Sequence, residues 1–207
     1  LLRAVKNRFG STNEIAVFEM RREGLVEIAN PSAYFLSGRK GNPAGSMIVP
    51  GVLGTRTLLV EIQALTARAN YGTPTRKVSG VDPNRVALLL AVLERRGGLH
   101  IGMEDVFVSA AGGVEIDEPA ADLGIAAAIA SSFRDLPGPA STVWVGEVGL
   151  GGEVRGVSQL GQRLAEAARL GFAQAVAPGE ACAGLELPRG LRVLPVATVH
   201  DALEHLA

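Results

Sequence analysis

The sequence predicts a mixed α/β domain, of the α+β type with two layers, and three observations support this fold class. From Met47 onward, segments with the pattern of strands alternate with segments typical of helices. Some neighbouring strands are separated by short glycine turns that favour hairpins. Apolar residues make up 47% of the 207 residues, which is sufficient for a sizeable core. Strands mixed with helices favour a layered fold over a helical bundle.

The first 45 residues are predicted to form a separate, smaller unit. Residues 1–6 have an apolar-basic helical pattern without a start signal, so we expect the sequence to open inside a longer protein. Residues 15–20 and 25–28 alternate as two strands around a turn. We predict loops over 30–32 and 37–46, and we place the boundary between domains 1–45 and 46–207 in the second loop.

The second domain is predicted element by element from its turn and cap signals. Asp82-Pro83 is a typical helix start, and the Gly97-Gly98 pair is a typical helix end. In chain order we expect a strand over 57–65, a loop over 72–80, a helix over 84–96, a strand over 105–109, a helix over 120–132 capped by Asp117, a hairpin of 142–148 with 153–157, a helix over 159–169, strands over 173–177 and 191–196, and a short helix from Thr198.

Composition argues against several classes of protein. No apolar run approaches the roughly 20 residues of a membrane span, and no leader pattern opens the sequence. We therefore expect a cytoplasmic protein. Cys182 is the single cysteine, which excludes an internal disulfide and a thiolate metal cluster. Since the three histidines are scattered, we expect no metal site.

Charge is divided unevenly between the two halves of the sequence. Residues 1–100 carry 14 Lys/Arg and 7 Asp/Glu, whereas residues 101–207 carry 6 and 14. The net charges are therefore +7 and −8. One interpretation is that a basic face meets a polyanion. The alternative is that the two charged regions meet each other, within one subunit or between subunits.

A first motif lies near the N-terminus. It consists of Lys6, Asn7, Arg8, Phe9 and Gly10, within a run from Leu1 to Leu36. This run resembles the end of the RecA-like ATPase core in the RadA family of bacterial DNA-repair proteins. The resemblance implies that Lys6 and Arg8 couple the ATPase to its neighbour in a ring, near the nucleotide phosphates. The alternative is an ordinary basic helix end, where cations offset the helix dipole.

A second resemblance covers residues 47–207. Its strongest part runs from Gly146-Glu147 through Val154-Arg155 to the helix at 160–169. This part is similar to the proteolytic domain of Lon proteases, which RadA proteins share. It implies the fold common to that domain and to the second domain of ribosomal protein S5, with residues 1–45 as the tail of the ATPase core.

The two catalytic positions of a Lon protease are changed here. In that family a serine follows Asp-Gly-Pro and is activated by a lysine on a later helix. Here the matching stretch is Asp117-Glu118-Pro119-Ala120, and the lysine position is Arg163. Alanine offers no nucleophile, and arginine stays protonated at physiological pH. We therefore expect no catalytic residue and no peptidase, and we expect Asp122 and Arg163 to form an ion pair in the old site.

The resemblance also implies cofactors that this sequence does not bind. It has neither the phosphate-binding loop Gly-x-x-x-x-Gly-Lys-Ser/Thr nor a Cys-x-x-Cys pair. ATP with Mg²⁺, and Zn²⁺, are thus expected in other domains of the full-length protein. We expect this chain by itself not to be an enzyme. The family implies a DNA-dependent ATPase that assembles as a homohexamer and promotes branch migration beside RecA.

Five basic residues are candidates for contacts with the phosphates of single-stranded or branched DNA. They are Arg56, Arg68, Arg76, Lys77 and Arg85. Aromatic residues make up 4% of the sequence, which disfavours base stacking and favours contacts to the DNA backbone. The alternative for each residue is a solvated surface charge. The alternative for the domain is a purely structural oligomerisation module.

Overall fold

The molecule is built around a seven-stranded mixed β-sheet in the order β13-β12-β9-β5-β6-β8-β7. The computed structural model describes residues 2–3, 15–28, 30–39, 41–54, 56–69 and 72–206. The strands are β1 Leu2–Arg3, β2 Ile15–Ala16, β3 Phe18–Arg21, β4 Gly24–Glu27, β5 Ser46–Leu53, β6 Arg56–Arg68, β7 Arg76–Ser79, β8 Glu104–Ala110, β9 Thr142–Trp144, β10 Glu147–Val148, β11 Val154–Arg155, β12 Gln174–Pro178 and β13 Arg192–Val196.

Six α-helices accompany the strands in the described part of the chain. They are α1 Pro31–Leu36, α2 Pro83–Arg95, α3 Asp122–Arg134, α4 Leu160–Arg169, α5 Gly179–Cys182 and α6 Val199–Leu203. A 3₁₀ turn over Pro119–Ala121 leads into α3. The mixed α/β class predicted from the sequence is confirmed.

Side-chain alternation along the strands divides the core into two parts. In β6, Leu58, Val60 and Ile62 face one side of the sheet, whereas Leu59 faces the other. The first side is covered by α2, α3 and α6. On that side Gly124 of α3 lies so close to Val49 of β5 that a Cβ would clash, which explains a glycine inside a helix.

The second side of the sheet is covered only over part of its width. Helix α4 packs there through Leu160 and Leu164, and α1 lies against β6. Helices thus lie on both faces of the sheet. The predicted two-layer arrangement is therefore wrong, because it has helices on one face only. The ends of β6 and β8, together with β7, have no helix over this face among the described residues.

Most predicted elements of the second domain are confirmed. Helices α2 and α6 begin at the expected signals, and α4 lies within its predicted range. Asp82 accepts a hydrogen bond from the Asn84 N–H. The predicted hairpin is confirmed in a shorter form, as β10 paired with β11. The first predicted strand of this hairpin, 142–148, also contains β9, which pairs with β12 in the main sheet. Strands β5 and β6 form a long antiparallel pair, from Ser46 opposite Gln63 to Leu53 opposite Arg56.

Three local predictions were wrong. Residues 30–32 begin helix α1, because Asn30 caps the Ala33 N–H and Pro31 occupies the first turn. Residues 76–79 form strand β7, because they pair in parallel with β8. Residues 2–3 form a short strand with 15–16, where a helical pattern was predicted.

Helix α1 is held tightly against the domain that follows it. The Ser32 hydroxyl is fully buried, donates to Glu166 Oε1 at 2.9 Å and accepts from the Leu59 N–H at 3.1 Å. Arg39 lies 3.6 Å from the buried Glu61. Side chains of α1 and of the following segment therefore contact both β6 and α4. The domain boundary near residue 45 stays a prediction.

None of the helices in the described part of the chain is long and apolar enough to cross a membrane.

Candidate functional site

The fold brings together three stretches that are distant in the sequence and that carry the second resemblance. The Gly146 N–H donates to the Ala120 carbonyl at 3.0 Å, and the Leu123 N–H donates to the Gly146 carbonyl at 3.1 Å. Helix α4 approaches the same place through Arg163. We call Glu118, Ala120 and Arg163 the dyad-position cluster, because two of them occupy the serine and lysine positions of the resemblance.

Arg163 is a buried cation with nearly every N–H engaged. Its side chain is 1% exposed. Nη1 donates to Glu118 Oε1 at 2.8 Å and to the Pro50 carbonyl at 2.6 Å, and Nη2 donates to Glu118 Oε2 at 2.6 Å. Nε donates to the Ser158 carbonyl at 2.9 Å. This bidentate geometry is the strong form of an arginine–carboxylate pair.

Glu118 is the residue of this cluster that the sequence reasoning missed. Besides binding Arg163, its Oε1 accepts the Val52 N–H at 2.6 Å, so it also holds β5. A signal was present in the sequence, since Glu118 stands where the Asp-Gly-Pro pattern has glycine. A new carboxylate near an arginine that replaces lysine indicates a pair of compensating charges. Asp117, the predicted helix cap, is instead exposed and lines a cavity of about 350 Å³ with Asp82 and Glu115.

The predicted Asp122–Arg163 ion pair is wrong. Asp122 is 1% exposed, and its partner is Arg85 of α2, whose Nε lies 3.2 Å from Oδ1. The Val148 N–H also donates to Asp122, at 3.2 Å. Burial raises the pKa of the Asp122 carboxyl above its ordinary value, and the hydrogen bond from Arg85 opposes that rise. The same hydrogen bond raises the pKa of Arg85. Helix geometry explains the error, since Asp122 starts α3 and points toward α2.

The dyad-position cluster has no chemistry to offer to a peptide bond. Ala120 is 3% exposed and packs with Leu160 and Leu164 of α4. Instead of a free base, the cluster holds an arginine that is neutralised by Glu118. Ser131 and Ser132, the alternative hydroxyls on helix α3, accept hydrogen bonds from Gly45 N–H and Thr66 N–H. The cluster therefore acts as a structural link between β5, the 3₁₀ turn and α4.

The five candidate DNA contacts do not form one patch. Arg56 and Arg68 stand at opposite ends of the 13-residue strand β6, roughly 40 Å apart at ~3.3 Å per residue. Arg56 lines a cavity with Glu166 and Arg169 near α4. Arg85 is paired with Asp122. Only Arg68, Arg76 and Lys77 share one end of the sheet.

Arg76 and Lys77 lie on the edge strand β7. The Arg76 guanidinium donates to the backbone carbonyls of Glu104, Thr75 and Gly102 and has no carboxylate partner among the described residues. Lys77 is exposed, and no described residue forms an ion pair with it. Cations on an edge strand also oppose unwanted pairing between sheets. The charge of this end thus remains available to solvent or to a ligand.

The motif from Lys6 to Gly10 lies outside the described residues. Within the described part of the chain, no group of three or more His, Cys, Asp or Glu residues could hold a metal ion. Cys182 is buried, and burial raises the pKa of its thiol.

Sequence comparison finds close relatives named DNA repair protein RadA. The protein of Halalkalibacterium halodurans is 52% identical over 204 residues, which are 99% of this chain and 45% of the relative. That of Bacillus subtilis is 53% identical over 203 residues, or 98% of this chain and 44% of the relative. That of Streptococcus pneumoniae is 48% identical over 204 residues, or 99% and 49%.

These relatives are longer than the chain described above. The chain spans about half the length of the curated relatives it matches. No family model matches the sequence.

Proposed function

Because the chain is homologous to the C-terminal part of the DNA repair protein RadA, we propose that it is the DNA-contacting scaffold of such a repair protein. The observation that carries this proposal is 52% identity over 99% of the chain. In this proposal the second domain has the Lon-protease-like fold. The complete cytoplasmic protein is a hexameric, DNA-dependent ATPase that promotes branch migration during recombination, beside RecA.

The dyad-position cluster supports a scaffold rather than a peptidase. In the resemblance to a Lon protease, Ala120 takes the place of the serine, and Arg163, buried in an ion pair with Glu118, takes the place of the free amine. We predict no cleavage of casein or of fluorogenic peptides, with or without ATP, because nucleophile and base are both absent. Turnover that disappears when one serine, such as Ser131, is replaced by alanine would contradict the proposal.

The basic end of the sheet supports contact with DNA. Arg68, Arg76 and Lys77 lie together there, and no described carboxylate neutralises Arg76 or Lys77. Contacts to phosphates release counterions, so affinity should fall as salt rises. The test is fluorescence anisotropy of labelled DNA with the purified chain over a range of salt concentrations.

Single alanine substitutions then sort the five candidates. Replacing Arg68, Arg76 or Lys77 by alanine should weaken binding equally for all sequences of duplex DNA. Each substitution should also lower the slope of log affinity against log salt concentration by about one unit. Arg85→Ala should mainly reduce stability, since its guanidinium already binds Asp122. Wild-type affinity and slope in all five variants would place DNA elsewhere. Absence of any DNA binding by the chain would favour the purely structural oligomerisation module.

Assembly into a ring is the second part of the proposal. Head-to-tail contacts close into a ring when the rotation between subunits permits it. The opposite charges of the two halves supply complementary surfaces for such contacts. In the complete protein, Lys6 and Arg8 couple neighbouring ATPase cores, and ATP, Mg²⁺ and Zn²⁺ are bound outside this chain.

A further inference from the structure

A part of the sheet that no helix of the described residues covers carries two rows of side chains. In the register of the sheet, Leu65 of β6 and Lys77 of β7 both lie beside Phe107 of β8. One step further, Gln63 and Ser79 both lie beside Ser109. Residues that lie side by side in a sheet point to the same face. These six residues form what we call the bare face.

The bare face is accessible and chemically mixed. Leu65 is 60% exposed, Lys77 is exposed and Phe107 is half-buried. An aromatic ring therefore lies between an aliphatic side chain and an ammonium group, next to a row of amide and hydroxyl groups. This combination offers one surface for stacking, one cation and several hydrogen-bonding groups.

The bare face borders a cavity, and cationic side chains line this cavity. Its volume is about 920 Å³, and it extends past β7 to apolar residues of α2. Arg76 and Lys77 both line it, and none of the described residues that line it is acidic. A ligand that fits here has a flat apolar part and a negative charge beside it.

We infer that the bare face binds unpaired nucleotides of single-stranded DNA, with a base stacked on Phe107 and a phosphate at Lys77. This inference rests on the proposed contact with DNA and adds the site and the contact to a base. Stacking on aromatic side chains and cations that follow the backbone are the two features of single-strand binding without sequence preference. The low aromatic content predicted backbone contacts alone, but the fold places one ring where a base can reach it.

A second copy of the chain fits the bare face less well. A stable interface buries about 800 Å² on each partner and has an apolar centre. Leu65 and Phe107 supply only a small apolar area, and Lys77 beside them would lose water without gaining a carboxylate. Charge complementarity therefore favours a polyanion.

The test measures the anisotropy of a labelled oligothymidine and of a labelled duplex of equal length with the 207-residue chain. Phe107→Leu keeps an apolar side chain and removes the ring. It should lower oligothymidine affinity by roughly tenfold, the size of one lost base stack, and leave the affinity for the duplex unchanged. Phe172→Leu, a half-buried ring at the other end of the sheet, is the matched control.

Two charge variants check the same surface without disturbing the core. Lys77→Ala should lower the salt slope for oligothymidine by about 0.7, the value for one phosphate of a single strand. Leu65→Glu should weaken binding of the same probe by roughly tenfold, since it brings a like charge beside the phosphate. The matched controls are Arg189→Ala and Leu187→Glu, at exposed positions before β13.

The possible results separate the two proposals. If the wild-type chain binds neither probe, the proposed DNA contact fails and the bare-face proposal fails with it. If the wild type binds DNA but Phe107→Leu and Leu65→Glu bind like their controls, only the bare-face proposal is overturned. Equal weakening for oligothymidine and duplex would overturn base stacking. A lower oligomer mass of Phe107→Leu with unchanged DNA affinity would assign the face to a second copy.

Discussion

Arg163 and Lys77 are both cations beside the same sheet, but their surroundings are opposite. Arg163 is 1% exposed and donates four hydrogen bonds, two of them to the carboxylate of Glu118. Lys77 is exposed and has no carboxylate partner among the described residues. The first cation lies between β5 and α4, where a charge must be neutralised. The second lies on an edge strand, and none of the helices that the structure describes lies above it. Position in the sheet therefore decides which cation stabilises the fold and which remains free to bind.

The same contrast separates the covered and the bare parts of one sheet face. Under α1 and α4, the polar groups of Ser32 and Glu166 are bonded to each other. On the bare face, the polar groups of Gln63, Ser79 and Ser109 lie at or near the surface. Substitutions in the covered part should change stability, whereas substitutions on the bare face should change binding.

The largest effect on stability is expected at Glu118. Replacing Glu118 by alanine leaves Arg163 buried without its counter-charge, which should reduce the free energy of unfolding by about 3 kcal/mol. The measurement is urea denaturation followed by circular dichroism. Replacing both residues, as Glu118→Gln with Arg163→Met, should recover much of the loss, because no buried charge then remains unpaired.

The control for this experiment is an ion pair at the surface. Glu153 pairs with Arg155, and both side chains are well exposed. Glu153→Gln should leave the urea midpoint unchanged, since water screens such pairs. An equal loss in the two variants would mean that the dyad-position cluster is not a special structural link.

A smaller loss is expected when Ser32 is replaced by alanine. The substitution removes the acceptor of the buried Leu59 N–H and one donor to Glu166, which should lower the free energy of unfolding by about 1–2 kcal/mol. The measurement is again urea denaturation. Ser109→Ala on the bare face is the matched control and should change stability by less than about 0.5 kcal/mol. Equal effects of the two substitutions on stability would contradict the difference between the covered and the bare parts of the sheet face.

The smallest effect concerns the dependence of stability on pH. Burial raises the pKa of Glu166, but the hydrogen bonds from Arg169 and Ser32 outweigh it and hold the pKa below the ordinary value of 4.5. A carboxyl whose pKa is lower in the folded state stabilises the fold above pH 4.5 and loses this contribution as pH falls through the folded value. Glu166→Gln should therefore flatten the decrease in stability below pH 4.5.

This prediction is checked by urea denaturation at several pH values from neutral to acidic. The wild type should lose stability more steeply than Glu166→Gln as the solution becomes acidic. A wild type that loses less than the variant would mean that burial, and not the hydrogen bonds, controls this carboxyl.

Local signals account for the parts of the fold that the sequence predicted. Asp82-Pro83 and Thr198 start helices through their own side chains and ring, and these effects act within one turn. The chemistry of Ala120 and Arg163 was predictable for the same reason, since residue type alone determines that alanine offers no nucleophile and arginine no free base. Strand β7 was not predicted, because its four residues are rich in charge and become a strand only by pairing with β8.

The sequence by itself determined that this chain is mixed α/β, that it is related to RadA, and that its dyad positions hold no nucleophile and no free base. The tertiary structure alone decided that Arg163 pairs with Glu118, that Asp122 pairs with Arg85, and that Leu65, Phe107 and Lys77 form one row. The physical reason is the distance along the chain over which each interaction acts. Helix caps and residue chemistry depend on neighbours in the chain, whereas partners 37 or 45 residues apart are chosen by how helices lie on the sheet.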